Sequence, residues 1–501
     1  MATILIKNGT LFDGSGAAAR PASVLVQNDK IIRVGDLSKQ RADTTVDATG
    51  VFVMPGFVDI NTDSDHYLSL FTDPLQSDFL KQGVTTIIGG NCGSSLAPLL
   101  KNSLESIMKW GDPSHININW RTVGEFLSIL RKNKLGVNFG TLVGHATIRR
   151  GMLGDTLRDL TEGELAMFAR LLESAFQEGA FGFSTGLSYA HSRGTPLYEI
   201  KKLAAVAARY DRVYATHLRD SEVGILEAAE EAITVAKTTG VNTEISHLEP
   251  RQSFAPLYET VFEAIERTSS DSRIHFDVYP FETLALSMYM FLPKWLQEGG
   301  MPVMREQILS GASEERLLEY FKRYARKEII IGHMQDASFR FLEGKTIEEF
   351  AKNQNCGMPE ALLRLMRMTR LLGTLFYSDI DGSALDRAMA HRQAIIASNG
   401  ASLREGGYKH RRNDWAFPTF FERSEKKKLM PLETAVQKAT SLPAEKYRIK
   451  QRGLVKEGYY ADLAVLASDF KPLHVFVNGG WALKDSIPQR LLSGAVLKRT
   501  A

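Results

Sequence analysis

Residues 1–55 follow a period of two. Ile4 and Ile6 alternate with Lys7 before an Asn8-Gly9 turn. Val24-Leu-Val26 and Ile31-Ile-Arg-Val34 flank the polar stretch Gln27-Asn-Asp-Lys30. Alternation broken by turn residues predicts short strands and a hairpin. The same style returns near the end, in Ala461-Asp-Leu-Ala-Val-Leu466 and His474-Val-Phe-Val477 followed by Asn478-Gly479. The two ends together predict one small β-sandwich domain built from residues 1–55 and 430–501.

Between them, apolar runs alternate with amphipathic stretches. The runs are Phe57–Ile60, Thr85–Ile88, Val137–Val143, Ala180–Ser184, Val213–His217, Asn242–His247, Ile274–Val278 and Thr374–Asp379. Helical periodicity lies between them, as in Thr161–Glu178, Pro196–Tyr210, Glu222–Thr239 and Leu257–Thr268. Eight strand–helix alternations predict parallel strands, and a closed (β/α)8 TIM-like barrel over residues 56–429 fits the count. The alternative, an open doubly wound sheet, lacks a Gly-x-Gly-x-x-Gly turn after the first strand. About 95 residues separate the seventh and eighth runs, too many for one crossover. An inserted helical subdomain at about 290–370 is therefore expected before the last strand, and it holds one extra apolar run, Glu328–Ile331.

Composition narrows the class. The chain has 501 residues, 44% apolar and 24% charged, with a net charge of +3 from 61 basic and 58 acidic residues. That balance excludes disordered or collagen-like chains and predicts neither nucleic-acid nor lipid binding. No apolar stretch is long enough to span a membrane, and the start, Met1 to Asn8, has no basic region followed by an apolar core. Two cysteines make no disulfide framework, which predicts a reduced, cytoplasmic chain. A small-molecule substrate and a monomer or small homo-oligomer are expected.

The chemistry-bearing residues collect at predicted strand ends, where barrel enzymes place their working groups. Asn61 and Asp63 follow the first run, Cys92 the second, His217 the fifth, His247 the sixth and Asp379 the eighth, with Asp381 just beyond. Singly, each has a structural explanation: a buried thiol, a hydrogen-bonded histidine, a helix cap. Together, one thiolate and two imidazoles are ligands that zinc accepts while leaving a position open. A carboxylate beside them would carry the proton of a zinc-activated water. The alternative of a Cys92 nucleophile lacks a group to orient its base.

Longer segments surround these residues. They include Pro55-Gly-Phe-Val-Asp59, Gln82-Gly-Val-Thr-Thr86, Gly90-Asn-Cys-Gly93, Gly144-His145 with Arg149, Gly182-Phe-Ser-Thr-Gly-Leu-Ser-Tyr189, Tyr214-Ala-Thr-His-Leu-Arg219, Asp277-Val-Tyr-Pro280 and Gly458-Tyr-Tyr-Ala-Asp462. With these the chain resembles the N-acyl-D-amino-acid deacylases (D-aminoacylases) of the amidohydrolase superfamily, over nearly its whole length except about 384–408. The resemblance implies a barrel with a small β-sandwich. It also implies a zinc on Cys92, His217 and His247, and a catalytic aspartate after the eighth strand, taken as Asp379. Arg412, in His410-Arg-Arg412, is implied as the holder of the substrate carboxylate, and Tyr279 as a substrate contact. His145 and Tyr189 are candidate stabilisers of the oxyanion.

Two positions depart from the family. The superfamily's His-x-His after the first strand is Asn61-Thr-Asp63 here, so one tightly bound zinc is expected and a second site is weakened or absent, with Asp63 a remaining ligand. A fallback has His66 reach the metal through a bulge. Where relatives often carry a lysine two residues after the sixth-strand histidine, this chain has Glu249. A carboxylate there disfavours acidic side chains and favours neutral or basic ones, unless Glu249 turns away to pair with Arg251. The leading expectation is a zinc-dependent amidohydrolase cleaving N-acyl-D-amino acids. A cyclic amide hydrolase (hydantoinase- or dihydroorotase-like) and a non-catalytic ligand-binding relative are the alternatives.

Overall fold

A computed structural model describes residues 3–499 apart from 102, 109, 155, 269–272, 299, 326 and 404–406. Its centre is an eight-stranded parallel barrel. In chain order the strands are Phe57–Asp59, Val84–Gly89, Asn138–Gly144, Gly182–Gly186, Val213–His217, Asn242–Ile245, Ile274–Val278 and Ala394–Ile396, each paired with its sequence neighbour. A parallel bridge from Thr62 to Gly400 and a hydrogen bond from Asp63 N to Gly400 O (2.7 Å) bring the first and last strands together.

The helices form because apolar residues recur along one face. Glu162–Glu178 buries Leu165, Phe168, Leu172, Ala175 and Phe176. It starts with a capping box between Thr161 and Glu164 and stops at Gly179, whose φ of 119° suits glycine. Leu197–Arg209, Ile225–Thr239 and Ala255–Arg267 repeat the pattern after the next strands.

A second sheet of nine strands joins both ends of the chain. Its seam is Phe52–Pro55 against Leu463–Leu466. The helices Leu432–Ala439 and Ser441–Lys446 come before its C-terminal strands and pack on barrel strands. Among the described residues no helix is long and apolar enough to cross a membrane.

One expectation fails. Thr374–Ser378 is not the eighth barrel strand. It is the centre of a three-stranded antiparallel sheet, between Thr283–Ser287 and Ile329–Ile331, inside the insertion that separates the seventh and eighth strands. Its residues Thr374 to Tyr377 are buried, so it reads as the same unbroken apolar run that a barrel strand shows. The true eighth strand has only three residues.

Candidate functional site

Cys92, His217 and His247 converge at the mouth of the barrel. Their sulfur and ring-nitrogen atoms all lie within 4.8 Å of one another. Cys92 Sγ is 3.4 Å from His247 Nε2, and the two imidazole rings are 4.4 Å apart, edge to face. One sulfur and two nitrogens at this spacing fit a single divalent ion of the zinc type. Asn91 ties down the loop that carries Cys92, donating to the carbonyls of Ile60 and Ile88, while Ser184 Oγ donates to Gly90 O. Gly186 packs so closely that a Cβ there would lie 2.2 Å from Cys92 O. Cys92 (φ 51°) and His247 (φ 36°) both hold left-handed backbone, which non-glycine residues adopt at a cost.

A cavity of about 430 Å³ opens over these three residues, within the usual range for small-molecule sites. Asp63, Tyr189, Glu249, Tyr279, Asn399 and Arg412 also line it. Arg412 is 4% exposed, sits 5.7 Å over the Tyr279 ring, and its Nε has no hydrogen-bond partner. Burial pushes the Glu249 carboxyl up, against the pull of His247 and Arg412, and its Oε1 has no partner. Tyr189 lies against His217, ring centres 4.9 Å apart, and Ser188 Oγ is 2.7 Å from His217 Nε2.

Asp63 lines the cavity but stands outside the three-residue cluster. Its oxygens face His66 Nδ1 (2.9 Å) and Arg412 Nη2 (3.7 Å). The fallback ligand His66 is engaged at both nitrogens, the second being 3.0 Å from Ser94 O. Burial opposes a charge on His66, but Asp65 and Asp63 outweigh it and push the imidazole up to about 9. The stabilisation this gives is present in full below about pH 6.5 and is lost as pH rises through 9. On the order of 3 kcal/mol is at stake. Denaturation of the wild type and of His66→Asn should therefore differ most at about pH 6 and converge by pH 10. Parallel curves across that range would exclude the charged pair.

Asn61 does not line the cavity; its Nδ2 donates to Asp277 Oδ2 (3.1 Å), and its Oδ1 is buried with no hydrogen-bond partner. Four further expectations are corrected. Asp379 does not end a barrel strand. Arg251 (2.7 Å) and Lys327 (2.8 Å) hold its carboxylate, which fastens the insertion to the loop after the sixth strand. Asp381 caps the helix Gly382–Ala390 through Ala384 N. His145 is fully buried with its Nε2 on Glu199 (2.8 Å), which also binds Arg149, and it does not line the cavity. The proposed Glu249–Arg251 pair is absent because Arg251 is committed to Asp379 and Glu222.

The eighth strand runs into Ala397-Ser-Asn-Gly400, so the residue at the cavity after that strand is Asn399, not a carboxylate. Sequence reading missed it because the strand was assigned elsewhere. The Asn-Gly pair after an Ile-Ile run was the available signal.

Known proteins agree with this architecture. The chain is 28% identical to an N-acyl-D-aspartate deacylase of Alcaligenes xylosoxydans xylosoxydans over 95% of this chain and 86% of that one. It is 28% identical to a D-aminoacylase of the same organism over 99% and 98%. A solved D-aminoacylase with a binuclear metal centre, activated by one metal and attenuated by a second, superposes with a TM-score of 0.82 at 27% identity, covering 99% of both chains. The chain is similar over nearly its whole length to D-aminoacylases and N-acyl-D-amino-acid deacylases. The profile of the amidohydrolase family itself matches residues 410–482. This similarity, over 95–99% of the chain, supports a hydrolase acting on amide bonds of a small-molecule substrate. The sulfur-and-two-nitrogen cluster is the set expected to hold a zinc, while Asn61-Thr-Asp63 and Asn399 stand where the resemblance implies a histidine pair and a carboxylate.

Proposed function

We propose that the protein hydrolyses N-acyl-D-amino acids with neutral or basic side chains, using one zinc ion on Cys92, His217 and His247. The convergence of those three residues under a cavity also bordered by Arg412 and Glu249 carries the reading. A zinc ion there supplies a Lewis acid for the acyl carbonyl and lowers the proton affinity of a water. Arg412, buried with a free Nε, receives the substrate carboxylate through charge-assisted hydrogen bonds. Glu249, with one oxygen unpartnered in the cavity, takes the proton from the attacking water and returns it to the departing amide nitrogen. The products are a carboxylic acid and a free amino acid. Asp63 holds Arg412 in place from the other side, and His66 holds Asp63. Because Glu249 borders the amino-acid end of the cavity, an acidic side chain meets like charge there.

The test is a panel of N-acetyl D- and L-amino acids with neutral, basic and acidic side chains, with a hydantoin alongside. The expected result is release of the neutral and basic D-amino acids, lost on chelation and restored by zinc. Hydrolysis of the hydantoin alone would move the reading to cyclic amides, and no release from any compound would overturn it.

A further inference from the structure

From the cavity's far wall we infer that the preferred substrates carry a large apolar acyl group, a straight or aryl-terminated chain of roughly six to eight carbons, rather than acetyl; drug-sized ligands fill cavities of this volume. This inference rests on the function proposed above.

The two ends of the cavity differ in origin and chemistry. Asp63 and Tyr279 follow the first and seventh strands, and Arg412 opens the helix Arg412–Lys427 after the loop that leaves the eighth strand. His217 ends the fifth strand and Tyr189 follows the fourth. In an eight-stranded barrel the first and fifth strands stand opposite each other. A substrate with its carboxylate at Arg412 and its carbonyl at the three-residue cluster starts its α-side chain at the polar end. Its acyl chain leaves the carbonyl carbon and grows away from Arg412, towards the fourth and fifth strands.

What it meets there is an apolar wall with a charged rim. Leu218 and Ile225 come from the loop after the fifth strand, and Leu286, Met290 and Phe291 from the insertion. Phe291 is packed edge-on or tilted against Tyr324 (5.2 Å between ring centres) and Tyr377 (5.6 Å), and all three are buried. Two ion pairs at the rim of the cavity fasten this wall to the barrel. Lys294 pairs with Asp220 (2.7 Å) and Arg323 with Glu222 (3.2 Å), joining the insertion to the loop after the fifth strand. An acetyl group would put a single methyl into this space and leave the wall in water. Each further methylene taken out of water is worth about a fourfold gain in binding.

The experiment measures kcat/KM for zinc-loaded protein on N-acetyl, N-butanoyl, N-hexanoyl, N-octanoyl and N-phenylacetyl forms of one neutral D-amino acid. The expected result is a climb along the straight-chain series, reaching at least about 100-fold for octanoyl over acetyl. A flat or falling series would overturn the inference. Calorimetry of octanoate against acetate reads the same wall without turnover. Octanoate bound at least about 30-fold tighter supports the inference, and equal or weaker binding overturns it. Tight octanoate binding with no hydrolysis of any acyl amide would overturn the proposed reaction and leave the acyl wall standing. Met290→Trp, which fills the cavity, is expected to narrow the octanoyl-to-acetyl ratio to below about tenfold; an unchanged ratio would place the chain elsewhere.

Discussion

Replacing Cys92 with alanine is expected to remove the bound metal and to lower kcat/KM by about 10³-fold or more. The sulfur is one of three donors within 4.8 Å, and no other thiol or carboxylate joins that cluster among the described residues. The side chain is small, and its loop is held independently of the thiol by Asn91 and Ser184. The fold should therefore survive, with circular dichroism and melting close to wild type. Elemental analysis after dialysis and steady-state kinetics read the two effects together. A variant that keeps one metal per chain, or that turns over normally, would place the metal elsewhere.

Glu249→Gln should lower kcat by about 10² to 10⁴-fold while metal content stays unchanged, the range of a lost proton carrier. The substitution keeps the shape and removes the base. The comparison that gives this meaning is Asp379→Asn. Sequence position made Asp379 the natural choice for this role, yet its carboxylate is held by Arg251 and Lys327. Breaking that pair leaves a nearly buried guanidinium with only the more distant Glu222 (3.9 Å) as counter-ion, so a loss of about 2–3 kcal/mol of stability is expected. The chemical step should persist. Melting temperature and kcat measured on both variants separate the assignments: loss of kcat in Asp379→Asn at full stability would restore Asp379 as the proton carrier.

The contrast between these two carboxylates shows why part of the site was illegible. Each barrel strand that begins with a solid apolar run and is followed by an amphipathic helix announced itself, because burial on both faces demands such a run. Thr374–Ser378 meets the same demand in a different sheet, so it presents the same pattern. Ala394–Ile396 is three residues long and carries almost no periodic signal. One misplaced strand then moved the proton-carrying role from the barrel mouth to a side chain that fastens the insertion. His145 misled for a related reason. It directly follows the third strand, but it opens a helix and turns into a buried network with Glu199 and Arg149.

The amino-acid sequence alone determined the parallel barrel, the strand-rich ends, the unusual Asn61-Thr-Asp63 and the donor set of Cys92, His217 and His247. These follow from local rules, namely hydrophobic period, turn chemistry and ligand type at strand ends. Only the tertiary structure decided that Glu249 faces the cavity, that Asp379 does not line it, and that Asn399 occupies the place after the last strand. Those facts depend on which charges from distant segments meet. A carboxylate's partner is chosen by proximity in space, and spacing along the chain does not encode it.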